Sequence, residues 1–352
     1  MDGSGAHPSL PYGFEVRGGD RALVLEATGP GSRMDVRIER VRIVGNGQFP
    51  LHGFARADGT ARFVVQNCRI SSDGPAGQYD GLVHLYAGKD GSLGNSCGTN
   101  PTGVMAPTIR DTILTVEDLP GTTTPVARYF GIWAEQCFGA SLDLTVTGID
   151  LDGRSVAGGF PSGISQGVYV LARSVIPTPV RVESSRIRNC GTYGIHIEDG
   201  LSLQPGVAAL SILSNAIENT GVAPDLPGLQ GFHVGSGLKL NIHAGSSLRG
   251  TVSANTFTGN RIGLDVDQQS SVPFPGVLTV DRNSFVGQVF DPAYPGGNPT
   301  GYGIVVTVTN GAVLDSQLRF DSNVLTLNQR DAIWVEPYLV YFGSGGGDIT
   351  CW

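Results

Sequence analysis

The stretch "LSILSNAIEN", residues 210–219, places two alternating apolar residues before an asparagine and one apolar residue after it. Three later stretches repeat this arrangement: "GTVSANTFTGN" (250–260), "LTVDRNSFVGQ" (278–288) and "LRFDSNVLTLN" (318–328). The shared pattern is apolar, any, apolar, two of any, Asn, any, apolar, followed by a polar residue two or three positions later. A polar residue at the same step of every copy indicates one structural unit repeated along the chain.

The repeat defines two columns of equivalent positions. The asparagine column contains Asn215, Asn255, Asn283 and Asn323, and the apolar column contains Ile217, Phe257, Phe285 and Leu325. Looser copies upstream place these pairs in the two columns: Val41 and Ile43, Cys68 and Ile70, Thr112 and Leu114, Thr147 and Ile149, and Ser185 and Ile187. The sequence therefore contains about nine copies of the unit.

A second short strand follows each copy and usually begins with glycine. These strands include "GIWAEQ" (131–136), "GVYVLA" (167–172), "GIHIED" (194–199), "GLKLNI" (237–242), "GLDVDQ" (263–268), "GIVVTV" (303–308) and "AIWVEP" (332–337). Three short strands per repeat predict the turns of a parallel β-helix, whose coils stack at about 4.8 Å. Stacked asparagines would then form a hydrogen-bonded ladder, and Asn tolerates the left-handed backbone of a sharp corner.

An all-β sandwich is the alternative, because its strands also recur at regular spacing. A sandwich gives no reason for one polar residue to return at the same corner. We therefore predict an all-β fold, a single-stranded right-handed parallel β-helix of about nine coils. It would form one domain over residues 1–352, and the repeat strand already present in "YGFEVRGG" (12–19) suggests a fragment that lacks end caps.

The copies resemble the right-handed parallel β-helix repeat of the pectate-lyase-like superfold over about residues 13–340. This resemblance implies an extracellular or cell-surface protein that binds or acts on a polysaccharide, as a lyase or a glycoside hydrolase. No "GHG" with paired Asp and "RIK", and no "DPHD", occurs in the chain, so no particular enzyme family is matched. A non-catalytic surface or adhesive protein is therefore the alternative, since one fold hosts many functions.

Composition excludes other classes of function. The formal charge is −8 and no basic cluster occurs, which argues against nucleic acid as a partner. No apolar run approaches the ~18 residues of a membrane span. The five cysteines at 68, 97, 137, 190 and 351 follow no metal-site spacing. We expect most of them to be small buried residues, with at least one left unpaired.

Alternation along the glycine-led strands predicts two outward columns. The first contains Trp133, Tyr169, His196, Lys239, Asp265, Val305 and Trp334, and the second contains Glu135, Leu171, Glu198, Asn241, Asp267, Thr307 and Glu336. The strand "GLVHLYAG" (81–88) leaves open whether His84 and Tyr86 join them. Aromatic rings stack on sugars and mixed polar groups bind hydroxyls, which favours a binding groove walled by loops 221–236 and 289–302. A solvated sheet with paired charges is the alternative.

Five of these residues carry groups suited to catalysis: His196, Glu198, Lys239, Asp265 and Asp267. Substrate binding is expected at Trp133, Glu135, Tyr169, Asn241 and Trp334. A hydrolase would use two carboxyl groups, whereas a lyase would use Lys239 or His196 as the base. We expect no metal and no cofactor.

Overall fold

The computed structural model describes residues 12–19, 21–45, 47–73, 81–88, 97, 102–117, 128–153, 163–200, 206–221, 235–243, 245–269, 277–290, 300–308, 318–330 and 332–337. Over these residues the chain forms strands, turns and extended connections, with no helix among them. The described part of the chain accordingly contains no helix that is long and apolar enough to cross a membrane.

Thirty strands, numbered in chain order, form three parallel sheets. Sheet 1 contains β1 (Phe14–Gly18), β4 (Val41–Gly45), β7 (Arg69–Ser72), β10 (Ile113–Val116), β14 (Asp150–Asp152), β17 (Arg186–Arg188), β20 (Ala216–Glu218), β23 (Thr256–Thr258), β26 (Ser284–Val286) and β29 (Val324–Thr326). Sheet 2 contains β2 (Leu23–Thr28), β5 (Leu51–Arg56), β8 (Gly81–Ala87), β11 (Arg128–Gln136), β15 (Ile164–Ala172), β18 (Tyr193–Asp199), β21 (Ser236–Ile242), β24 (Ile262–Gln268), β27 (Tyr302–Val308) and β30 (Ile333–Pro337). Sheet 3 contains β3 (Arg33–Glu39), β6 (Thr60–Gln66), β9 (Gly103–Arg110), β12 (Ala140–Leu142), β13 (Leu144–Thr147), β16 (Thr178–Glu183), β19 (Val207–Leu213), β22 (Ser247–Ser253), β25 (Leu278–Asp281) and β28 (Leu318–Asp321).

The chain visits sheets 1, 2 and 3 in turn, so that one strand from each sheet makes a coil. Each strand pairs in parallel with the equivalent strand of the next coil, as Ile217 does with Phe257 and Phe257 with Phe285. This topology is a parallel β-helix solenoid, and the sandwich alternative is wrong. Sheets 1 and 2 each have ten strands, one more than the nine copies, because β1 adds a coil at the start.

The core lies between the three sheets and is filled by the inward residues of each strand. In β18, Ile195 and Ile197 are fully buried within it, as alternation predicts. The glycine that leads most sheet 2 strands has a steric cause. A Cβ on Gly194 would lie 2.6 Å from the carbonyl oxygen of Gly237 in the next coil, so a side chain there would force the coils apart. In β8, Leu82 takes this place instead, which explains why that strand was ambiguous in the sequence.

The asparagine ladder is confirmed. The Oδ1 of Asn255 accepts hydrogen bonds from the backbone N–H and the side-chain amide of Asn215, both at 2.9 Å. Its Nδ2 donates to the carbonyl of Ile212 at 2.8 Å and to Asn283 at 2.9 Å. Asn283 repeats this arrangement with Asn323. Each amide thereby satisfies a buried backbone donor of the coil before it.

Two details of the predicted corner are wrong. The left-handed residue is the one before the asparagine column, for example Ser214 with φ 56° and Ala254 with φ 55°, and not the asparagine itself. The segment 142–152 was also aligned two residues early. Ile149 occupies the asparagine column, where its N–H meets Ser185 Oγ at 3.3 Å, and Leu151 pairs with Ile187. Alternating apolar residues on both sides of Gly148 fit either alignment, so the pattern did not distinguish them.

A second ladder, not recognised in the sequence, lies at the corner between sheets 1 and 2. The backbone N–H of Thr220 donates to Asn260 Oδ1, that of Asn260 to Gln288 Oε1, and that of Gln288 to Asn328 Oδ1, at 2.9 to 3.1 Å. These are the polar residues that end each of the clearest later copies. Side-chain amides therefore close both corners that flank sheet 1 in these coils.

Replacing Asn255 with Leu should lower the free energy of unfolding by roughly 1–3 kcal/mol, because buried amide and carbonyl groups lose their partners. Chemical denaturation followed by circular dichroism would measure the change. The neighbouring exposed Thr256→Val variant is the control, since Thr256 begins β23 directly after Asn255 and its side chain lies outside the ladder. Equal stability of the Asn255→Leu and Thr256→Val variants would contradict a stabilising role for the ladder.

One carboxyl group lies inside the solenoid. Asp199 ends β18 on the inward side and has no exposed surface. Burial raises its pKa from 3.8 to about 8, although the backbone N–H groups of Ala208 and Ser247 oppose this shift. The folded protein therefore keeps Asp199 protonated at neutral pH, whereas the unfolded chain does not.

This difference makes stability fall as pH rises between the ordinary pKa of 3.8 and about 8, because unfolding releases the proton. The slope is roughly 1.4 kcal/mol per pH unit. We expect Asp199→Asn to remove this slope, so that its stability relative to the native protein increases with pH up to about 8. Thermal unfolding across this range would test it, with the exposed Asp58→Asn variant controlling for the lost charge. A constant difference between Asp199→Asn and the native protein at every pH would refute the buried neutral carboxyl.

Candidate functional site

The strand register confirms both outward columns of sheet 2. Trp133 pairs with Tyr169, Tyr169 with His196, and His196 with Lys239, and the column continues through Asp265, Val305 and Trp334. The second column follows the same order from Glu135 to Glu336. His84 and Tyr86 join them, because they pair with Trp133 and Glu135.

Most of this outward face is buried instead of solvated. Trp133, Tyr169, His196 and Asp265 are each at most 8% exposed, and Glu135 is fully buried. In the middle of the face, the side chains that stay partly exposed include Glu198, Lys239, Asn241, His243 and Asp267, and Gln269, Thr307 and Trp334 are also partly exposed further along. The first five of these side chains, which we call the polar patch, lie together on β18, β21 and β24 and at the end of β21. Solvent therefore reaches the face at the polar patch.

Alternation along the strands missed two further columns on this face. The residues that precede the leading glycine also contact it: Phe130, Gln166, Tyr193, Ser236, Ile262 and Tyr302. The alternation also runs one step past the strand ends and places Arg173, His243 and Gln269 beside the second column. Continuing the period-two count in the sequence by one step would have found the latter three.

His196 is held by hydrogen bonds at both ring nitrogens. Its Nδ1 lies 2.9 Å from Gln166 Oε1, and its Nε2 lies 3.1 Å from Asn241 Nδ2. An amide nitrogen can only donate, so Nε2 accepts and Nδ1–H donates to Gln166. This arrangement fixes the neutral Nδ1–H tautomer. The imidazole stands between Tyr169 and Tyr193, with ring centroids 5.0 and 4.6 Å away.

Glu198 is an ionised carboxylate. One oxygen accepts a hydrogen bond from the Tyr169 hydroxyl, and the other accepts from His243 Nε2 at 3.0 Å. Burial alone would raise the pKa of Glu198, but the hydrogen bonds from His243 and from the Tyr169 hydroxyl lower it. Burial and the Glu198 charge raise the pKa of Tyr169 well above its usual range, so the phenol stays protonated. The lowered pKa keeps Glu198 deprotonated, so it can accept a proton but cannot donate one, and it makes the carboxylate a weaker base.

Lys239 and Asp265 form an ion pair. Lys239 Nζ lies 2.9 Å from Asp265 Oδ2, and Ser236 Oγ lies 3.2 Å from the same oxygen. Asp267, on the same strand, accepts one hydrogen bond from Gln269 at 3.0 Å. The Oδ1 atoms of Asp267 and Asn241 are buried and meet no donor among the described residues. Both atoms are therefore unsatisfied acceptors within the polar patch.

The upstream half of the face is an aromatic cluster. Trp133 stacks on His84 at 4.4 Å and contacts Phe130 at 4.7 Å, which leaves 4% of the residue exposed. Glu135 forms a fully buried ion pair with Arg173. At the other end, Trp334 is half-buried against Tyr302 at 4.9 Å. Binding of sugars by Trp133, Glu135, Tyr169, Asn241 and Trp334 stays a prediction, and so does catalysis by the other five residues.

Cys68, Cys137 and Cys190 are buried, as expected for most of the cysteines, but the sequence did not predict a disulfide. Cys97 and Cys137 form this bond, whereas Cys68 and Cys190 are free. Burial raises the pKa of the Cys190 thiol, which keeps it unreactive. The two bonded sulfurs and a Glu135 oxygen lie within 4.8 Å of one another. Such a group suits a metal only with free thiolates, and here the sulfurs are bonded and Arg173 contacts both Cys97 and Glu135.

Several expectations fall outside the described residues. They concern Cys351, the side chain of Glu336, and most of the loops 221–236 and 289–302 that were expected to wall the groove.

Comparison with known proteins gave no relative: no protein-family model, no curated protein and no solved structure matched the chain.

The Cys97→Ser, Cys137→Ser double variant should lose about 4 kcal/mol of unfolding free energy, because the bond closes a loop with a sequence separation of 40. Equilibrium denaturation with and without reductant would measure it. Reductant should lower the stability of the native protein to that of the variant and leave the variant unchanged. A native protein indifferent to reductant would contradict the disulfide.

Proposed function

We propose that the protein is an extracellular carbohydrate-active β-helix that binds a polysaccharide on the outward face of sheet 2 and cleaves it at the polar patch. The observation that carries the proposal is a solvent-accessible cluster of polar groups on this face. Downstream of the buried aromatic cluster, solvent reaches a carboxylate, an amine, an amide, an imidazole and a second carboxylate on neighbouring coils. Such groups bind sugar hydroxyls and can move protons.

The resemblance of the repeat to the pectate-lyase-like superfold supports a polysaccharide as the substrate class. The disulfide supports an extracellular or cell-surface location, because such bonds persist mainly in oxidising compartments.

The geometry of the polar patch supports Glu198 as the base. Its lowered pKa keeps it ionised, and Tyr169 and His243 orient it. Lys239 and Asn241 lie beside it on the next coil and would face the developing negative charge of an elimination. Hydrolysis would instead use Glu198 and Asp267, two coils and roughly 9–10 Å apart at Cα, near the upper limit for inversion.

A non-catalytic glycan-binding or adhesive protein is the second candidate, and one observation favours it. The side chains of the site satisfy one another: His196 binds Gln166 and Asn241, and Lys239 binds Asp265. Mutual saturation of this kind is typical of a structural polar network.

The test uses the whole protein and a panel of neutral and uronate-containing polysaccharides. Binding would be measured by affinity electrophoresis, and cleavage by new reducing ends and by the absorbance of unsaturated products. Unsaturated products would identify a lyase, reducing ends alone a hydrolase, and binding without products the non-catalytic candidate.

Asp267→Asn and Lys239→Ala should each abolish cleavage without unfolding the coils. Lys239→Gln should do the same while still offering a hydrogen bond to the Asp265 carboxylate. Glu218→Gln is the control, because Glu218 lies on the outward side of sheet 1 and pairs with Arg186. Full activity in the three site variants would refute the site.

A further inference from the structure

A groove of about 610 Å³ lies on the outward face of sheet 3, on a different face from the polar patch. Its lining includes Asp143, Thr145, Pro179, Arg181, Ala209 and Arg249, from four successive coils. The volume falls within the range of about 300–1,000 Å³ that is typical of ligand sites. All of its lining residues belong to the described part of the chain.

The groove exists because short side chains occupy its floor. Pro179 pairs with Ala209 and Ala209 with Arg249, so two small residues separate the long Arg249 from the upstream end of the groove at Asp143. Gly250 contributes to the same floor with φ +126°, and a Cβ there would lie 2.1 Å from the carbonyl oxygen of Leu210. A side chain at this point would therefore disrupt the pairing of β22 with β19, and the continuous sheet keeps the floor rigid.

Two guanidinium groups approach the groove. Arg181 is 58% exposed at the side chain and contacts Glu183 through Nε at 3.4 Å, which leaves its two terminal nitrogens outside that pair. Arg249 is half-buried and makes no ion pair with any described residue. Arg249 therefore has no carboxylate partner among the described residues, although the chain as a whole has a net charge of −8.

Hydroxyl groups line the column that contains Arg181. Thr145 pairs with Arg181, Arg181 with Ser211, and Ser211 with Thr251. Thr145, Ser211 and Thr251 are half-buried beside the groove, and the Ser211 hydroxyl donates to Glu183 Oε1 at 3.0 Å, which leaves its oxygen as an acceptor. No aromatic side chain lines the groove, which disfavours stacked bases as its ligand.

The geometry points to a second carbohydrate site, in which Arg181 and Arg249 bind the carboxylates of a uronate oligosaccharide. The two residues lie two coils apart, roughly 9–10 Å along the axis, a distance comparable to two sugar units. Arginine binds carboxylate through paired hydrogen bonds. Asp143, Thr145 and Ser211 would bind the sugar hydroxyls. This site does not depend on the function proposed for sheet 2, and it needs no bond to be made or broken.

Isothermal titration of the whole protein with an oligogalacturonate would test the site, and the carboxyl-reduced oligosaccharide provides the neutral comparison. Arg181→Gln and Arg249→Gln should each weaken binding about tenfold, as expected for loss of one charge-assisted pair. Arg186→Gln is the matched control, since Arg186 is similarly exposed and paired but lies on sheet 1. Every variant is repeated in a Lys239→Gln background, so that sheet 2 contributes equally to each titration.

Unchanged affinity in both groove variants would overturn the site, and so would equal binding of the neutral oligosaccharide. Binding of dextran sulfate but not of the uronate would overturn the assignment to carboxylates. The two proposals fail separately. If Lys239→Gln alone loses binding, the sheet 2 proposal stands and the sheet 3 site is overturned. If the arginine variants alone lose binding, the sheet 3 site stands and the sheet 2 proposal is overturned.

Discussion

The hydrogen bond from a backbone N–H to the corner side chain of the following coil is the constraint on which the solenoid depends. A parallel coil must turn at the same point in every repeat, and the turn buries a donor that no neighbouring strand can satisfy. Asn255 and Asn283 satisfy that donor and also bond to each other. Once the corner is set, the strand that follows it has a fixed register, and its side chains have a fixed face.

That register brings together residues distant in the chain and thereby builds the outward face of sheet 2. Tyr169, Glu198 and His243 belong to three coils, yet they form one hydrogen-bonded chain. The two halves of the face differ in character, because aromatic rings close the upstream half while charged and amide groups leave the downstream half partly open. A single fold therefore carries a second apolar core beside a polar site, separated by no more than one or two coils.

The repeat predicted the fold well because it consists of the spacing between residue types, and this spacing can be read from the sequence without knowing any contacts. It also predicted which side chains share the outward face, since alternation fixes the side of each strand. Burial was not predictable in this way. Whether Trp133 meets solvent depends on His84 and Phe130, and the position of Phe130 before a glycine breaks the alternation. The disulfide was missed for a related reason, because Cys97 lies outside the strands and follows no repeat.

The alignment error at Ile149 has the same origin. Where an apolar residue replaces the corner amide, the only remaining guide is alternation, and alternation fits two frames equally well. The polar corner residue therefore shows which alignment of the repeat is correct. In the folded protein the same residue satisfies the buried backbone N–H of the preceding coil.

The ladder also has a direction. Asn255 accepts from the backbone of Asn215, and Asn283 from that of Asn255, so every corner in this series is completed by the coil that comes after it. A chain emerges from the ribosome with its N-terminal part first. Each coil of the ladder consequently leaves the ribosome with an unsatisfied corner and acquires its last hydrogen bonds only when the next coil has been made. Assembly of this half of the solenoid thus lags synthesis by one coil.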